Sequence, residues 1–376
     1  MNFDFVTPVQ RKNTASLKWQ RYEQQDVIPM WVADMDLRSP PAVQKALQQA
    51  VEQGVFGYGE VPVALNQAFI DWCASQYAWP VEEDWLVWIP GVVPGFNLAI
   101  EAWLSAEQGV LVQSPVYPPI RVVGHLRQRP SVDVLVNEPV TQQHFAAFLQ
   151  PETAAVVLCN PQNPLGKVYS RAELEALAKL AEEKDLLVIA DEIWSDLLLE
   201  PHLRHVPFAS VSSAAAARSV TLMAPSKTFN IAGLSCAVAV IPNQELRASY
   251  RKAIRGLMPD MNYLGLVAAQ AAWKKGEPWL NALKVHLNAN LDLLEHWLKD
   301  FPQIGYQRPQ ATFVAWLDVS ALQMADPVAI FLSGGVALSA GEAYGQASHV
   351  RLNFGCTAEQ LKQALQRMAA VIKQQR

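Results

Sequence analysis

The chain has 376 residues, of which 51% are hydrophobic and 17% charged, and its formal net charge is −5. That length is more than one small core needs and predicts two lobes. A mildly acidic balance without a basic block argues against a nucleic-acid partner, and no apolar stretch reaches membrane-spanning length.

The N-terminus, "MNFDFVTPVQRKNTASLKW", has no apolar run ahead of a small-residue cleavage site, so no signal peptide is expected. The four cysteines, Cys73, Cys159, Cys236 and Cys356, show neither a CxxC nor a metal-ligand spacing. They read as reduced thiols of a cytoplasmic protein, and no metal is expected.

Along the chain, short apolar runs alternate with helical patterns. The candidate strands are "WLVWI" (85–89), "GVLVQ" (109–113), "VDVLV" (132–136), "AVVLC" (155–159), "LLVIA" (186–190), "SVTLM" (219–223) and "CAVAVI" (236–241). Runs that are apolar on both faces suit a buried sheet, so the fold class is α/β with a mainly parallel, seven-stranded sheet. Helix signals lie between them. One helix is expected near 94–104, and Ser170 with Glu173 makes a capping box before "LEALAKLAEEK".

From about residue 277 the pattern changes to a long amphipathic helix, short strands near 312–317 and 349–353, and a closing helix capped by Thr357 with Gln360. The expected division is a large domain over 41–276 and a small α+β domain over 277–376. Residues 1–40 would join the small one.

Ligands of open α/β sheets sit beyond the carboxyl ends of the strands. Successive strands are followed there by "PGVVPGF", "SPVYPPI", "NPQNPLGK", "DEIWSD" and "APSKTF". Each has an ordinary reading: Asn160 and Asn163 as turn residues, Asp191 as a helix cap, Tyr117 as a packed loop aromatic. Lys227 could be a surface lysine, although no charged residue lies within eight positions on either side. Together they supply an amine, a carboxylate, a stacking aromatic, an amide and a helix N-terminus, the set that pyridoxal phosphate requires.

With these stretches the chain resembles the fold-type I pyridoxal-phosphate enzymes of the class I/II aminotransferase superfamily, and most of all the MalY/PatB-type C–S β-lyases, which are cystathionine β-lyase-like. The matching segments also include "WVADMDLRSP", "FGYGE", "GEPWL" and "HVRLNFG", running in order from residue 31 to residue 355. The resemblance implies that Lys227 carries the cofactor and shuttles protons. It implies that Asp191 faces the pyridine nitrogen, Asn163 bonds the phenolic oxygen and Tyr117 stacks on the ring. The Val92 and Val93 backbone with Ser226 would hold the phosphate, and Tyr58 would reach in from the other subunit of a homodimer with shared sites. Arg351 would clamp the substrate carboxylate, with the Ala33 backbone beside it.

Three positions depart from the wider pattern. Trp194 stands where many relatives have tyrosine, Ser235 where many have a phosphate-binding arginine, and Ala224 where a hydroxyl residue is common. The context of Ser235 looks like the lyase subgroup.

The expected activity is α,β-elimination of cystathionine or a related cysteine S-conjugate, a small-molecule amino acid, to thiol, ammonia and pyruvate. The competing readings are an amino-acid aminotransferase using the same residues and a regulatory protein on this scaffold. A nicotinamide dehydrogenase fits poorly, because no GxGxxG follows an early strand. The two histidines of "HLRH" (202–205) have no third ligand nearby to make a zinc site.

Overall fold

A computed structural model describes residues 3–136 and 141–374. Its centre is a seven-stranded sheet built from β1 (Leu86–Ile89), β2 (Gly109–Ser114), β3 (Ser131–Leu135), β4 (Thr153–Cys159), β5 (Leu187–Asp191), β6 (Ser219–Met223) and β7 (Ala237–Val240). The spatial order is β1-β7-β6-β5-β4-β2-β3. β7 runs antiparallel to both neighbours, and the remaining pairs are parallel. All seven expected runs are strands, and the sheet is mainly parallel.

The reason these runs are continuously apolar is visible along β4. Ala155, Val157 and Cys159 pack into one cluster with Phe96, Ala99 and Ile100 of the helix Val92–Trp103. Val156 and Leu158 pack into another with Leu174, Leu177 and Ala181 of the helix Arg171–Glu183. Each face of the pleat therefore has its own helical cover. Gly95 lets the first helix lie close on the sheet, since a Cβ there would stand 2.6 Å from Ile89 Cδ1. β3 departs from the two-faced reading: Ser131, Asp133 and Leu135 are exposed, because only β2 flanks this strand and its outer rim meets water.

The capping box is present, with Ser170 Oγ accepting from the Glu173 N–H and the Glu173 carboxylate accepting from the Ser170 N–H. The long helix spans Glu277–Leu298, and Thr357 Oγ1 accepts from the Gln360 N–H at the start of Ala358–Gln374.

Between these helices lies a four-stranded antiparallel sheet of β8 (Gly305–Tyr306), β9 (Val314–Asp318), β10 (Ser339–Ala340) and β11 (His349–Asn353), in the order β10-β11-β9-β8. The N-terminal segment packs onto this part of the chain. Ile28–Pro29 pairs with Val336–Ala337, and the Asn353 N–H donates to the Met30 carbonyl at 2.8 Å. Among the described residues, no helix is long and apolar enough to cross a membrane.

Candidate active site

The carboxyl ends of β5 and β6 deliver the two central groups. Asp191 closes β5 and is 3% exposed, and its carboxylate accepts one hydrogen bond among the described residues, from the Ile193 N–H at 3.1 Å. Burial pushes its pKa up to about 7, against the opposing pull of the Ile193 N–H and of Lys227. Lys227 lies four residues past the end of β6, and its ammonium donates to the Ala33 carbonyl at 2.6 Å. Nζ also stands 5.6 Å from the Trp194 ring, which meets Phe313 edge-on. Burial, and next the positive charge of Arg351, lower the Lys227 pKa to about 8. An acid raised and a base lowered at the ends of neighbouring strands is the pattern of groups tuned for proton transfer near neutral pH.

Arg351, on β11, is 3% exposed. It donates from Nη1 to Asn163 Oδ1 at 2.9 Å and from Nη2 to the Trp31 carbonyl at 2.8 Å, and its guanidinium lies over the Tyr344 ring at 4.9 Å. Its Nε is buried without a partner among the described residues, so the fork is not fully spent on them. Asn163 belongs to the turn after β4 and Tyr117 to the turn after β2. Tyr117 is half-buried, and its pKa is raised by burial and then by Asp191.

Val92 is buried and Val93 half-buried at the first turn of Val92–Trp103. That helix is capped by Gly91, which brings no side chain to its first N–H groups. Ser226 is half-buried beside Lys227. The chain thus brings Ala33, Tyr117, Asn163, Asp191, Ser226, Lys227 and Arg351 to one region at the strand ends. Tyr58 is 96% exposed.

Several contributors carry no signal of their own in the sequence. Tyr344 lies under the Arg351 guanidinium, and Ser339 Oγ accepts from Arg351 Nη2 at 3.4 Å while donating to the Trp31 carbonyl at 2.7 Å. Asn353 donates to the carbonyls of Val32 and Asp34, holding the segment whose Ala33 carbonyl meets Lys227. Asn230 clamps the same segment through Met35 and Leu37. Asparagines at strand and loop ends signal turns before they signal clamps, and only the packing of distant segments gives them these partners.

The model of the family "Aminotransferase class I and II" matches residues 25–368. The chain belongs to this family. Among its relatives, cystathionine beta-lyase PatB of Bacillus subtilis (strain 168) is 34% identical, over 99% of this chain and the whole of its own length. Among solved structures, that of OvoB is 42% identical with a TM-score of 0.94, covering 98% of this chain and 99% of that one. Cystalysin from Treponema denticola, which contains a pyridoxal 5'-phosphate cofactor, is 26% identical with a TM-score of 0.94 over the full length of both chains.

The donor set fits such a cofactor in this class I/II chain. A buried carboxylate with a single hydrogen bond suits a pyridinium nitrogen, a lysine with lowered pKa suits an aldehyde, and a bare helix N-terminus suits a phosphate.

Proposed function

We propose that the chain is a pyridoxal-phosphate-dependent carbon–sulfur β-lyase, which eliminates the thiol from cystathionine or a related cysteine S-conjugate. The observation that carries the reading is the juxtaposition of Lys227 and Asp191 at neighbouring strand ends, with their pKa values moved toward each other to about 8 and about 7. The 34% identity to a cystathionine beta-lyase over 99% of the chain supports elimination as the reaction.

When bound, the cofactor supplies an aldehyde for the amine and a ring that draws electrons from the substrate Cα. Asp191 keeps the pyridine nitrogen protonated, and that cation in turn favours the carboxylate form of Asp191. Asn163 donates its amide to the phenolic oxygen while its own oxygen stays engaged with Arg351. Tyr117 packs on the ring face. The Val92 and Val93 N–H groups and Ser226 Oγ hold the phosphate.

Arg351 takes the substrate carboxylate as a two-pronged donor, with the Ala33 backbone alongside. Lys227, neutral in a large fraction of molecules near pH 8, accepts the Cα proton at Nζ. The thiolate then leaves, and hydrolysis yields pyruvate and ammonia. The Trp194 and Phe313 rings form an apolar wall beside Nζ and keep bulk water from that proton.

The catalytic unit we propose is a homodimer in which Tyr58 enters the partner's phosphate site; its exposure in the single chain supports this. We take residues 41–276 as the cofactor domain, and 1–40 with 277–376 as the small domain that brings Arg351. The four cysteines are free and buried, which suits the reducing cytoplasm.

The assignment of Lys227 is tested by reducing the loaded protein with borohydride and mapping the peptides. The expected product carries the cofactor on Lys227. Label on any other lysine would overturn the site.

A further inference from the structure

The loop that bears Lys227 is pinned immediately beside that residue. Thr228 is fully buried, and its hydroxyl donates to Asp196 Oδ2 at 3.0 Å. Asp196 is 6% exposed and takes two more donors on Oδ1, the Trp72 Nε1–H at 2.9 Å and the Tyr77 hydroxyl. Both of these come from the helix Val63–Tyr77, which is far from the strand ends in sequence. Tyr77 Oη also lies 2.9 Å from Ser195 Oγ, so the acceptor is braced from its neighbour as well.

Asp196 sits on the same short segment as Asp191. Between them Glu192 anchors the turn: its carboxylate receives the Phe208 N–H at 2.7 Å and contacts His205 Nε2 at 2.7 Å. One braced segment therefore carries the carboxylate Asp191 at its start, the Trp194 wall in its middle and the Thr228 acceptor at its end.

We infer that Asp196 is a positioning residue for Lys227: its carboxylate holds the Thr228 hydroxyl and so fixes the backbone from which the neighbouring amine is aimed. Adjacent Cα atoms are about 3.8 Å apart, so a side-chain anchor at one residue constrains the backbone of the next. Two residues on, Asn230 adopts a positive φ of 55° and clamps the 33–37 segment, which fixes the loop from its far side. A buried threonine hydroxyl could be satisfied by a nearby backbone carbonyl. Here it turns instead to a charged acceptor with three donors, a stronger and more directional contact.

The inference rests on the reading of Lys227 as the cofactor-bearing amine, and its test includes a readout that needs no turnover. Thr228→Val keeps the shape and removes the donor, whereas Thr228→Ser keeps the donor. Two rates are measured: kcat for the S-conjugate, and the rise of the visible band when pyridoxal phosphate is added to full-length protein stripped of it.

Thr228→Val is expected to slow both by about tenfold or more, as loss of a hydrogen bond to a charged group does, with KM unchanged. Thr228→Ser is expected to restore both. Wild-type rates in Thr228→Val, or equal losses in the serine and valine variants, would overturn the inference whatever the reaction is. A wild type that captures the cofactor but makes no pyruvate, with capture still slowed in the valine variant, would sink the lyase reading and leave the positioning role standing.

Discussion

Arg351 on β11 and Asn163 in the turn after β4 are joined by a 2.9 Å hydrogen bond, across 188 positions of sequence. Under the roles proposed for them, this contact would tie the carboxylate clamp to the turn that faces the cofactor ring, so substrate binding and ring geometry would share one link. Arg351→Ala is expected to raise KM for the amino acid by roughly 10-fold to 150-fold, the range for a lost charge-assisted contact, while the visible cofactor band persists. Steady-state kinetics and an absorbance spectrum check this together. An unchanged KM would refute the clamp.

Asp191 leads to a pH prediction in the cofactor-free protein. Its folded pKa of about 7 lies above its ordinary value of 3.8, so between these the folded state holds a proton that the unfolded state has lost. Its contribution to stability is fully present below pH 3.8 and is lost as pH rises through about 7. Asp191→Asn cannot ionise, so its stability relative to wild type should be greater at pH 8 than at pH 4, as read by urea denaturation. The same variant should lose most of its turnover, because the amide cannot hold the pyridine nitrogen protonated. A pH-independent stability difference together with near-normal turnover would make Asp191 a structural cap.

For Lys227 the sign is reversed. The folded pKa is about 8 against 10.5, so the amine becomes neutral and nucleophilic well below the range of an exposed lysine. The rate of cofactor capture by stripped protein should rise with pH and level off above about 8. A midpoint near 10.5, the ordinary lysine value, would mean that the amine is not desolvated as described.

Tyr58 is the test of the shared site. Sedimentation equilibrium should give a dimer, and Tyr58→Phe should weaken pyridoxal-phosphate affinity by about tenfold, the value of one hydrogen bond to a charged group. A monomer with full activity would remove Tyr58 from the account.

Much of this architecture is legible in the sequence because strands covered by helices on both sides must be apolar on both faces, as all but the edge strand β3 are, and turn residues punctuate the runs. Asp191 and Lys227 stand out for the same reason, as ionisable groups at or within four residues of the ends of such runs. What is not legible comes from packing between distant segments. Asp196 reads as one more acidic residue of "DEIWSD", but Trp72, Tyr77 and Thr228, at separations of 124, 119 and 32 positions, make it a buried acceptor. The exposure of β3 follows from its place at the sheet edge, which depends on strand order and not on its own residues. Likewise the Asn163 turn carries no mark that its oxygen will be taken by Arg351.

Elimination is measured most directly by pyruvate release. Purified protein loaded with pyridoxal phosphate is offered cystathionine with no 2-oxo acid present, and pyruvate is followed with time. Sustained release is expected, with pyruvate, ammonia and thiol formed in equal amounts and no dependence on an added acceptor. Cystathionine consumed only when a 2-oxo acid is supplied, with that acid converted to its amino acid and neither thiol nor pyruvate released, would contradict it and assign these residues to amino-group transfer.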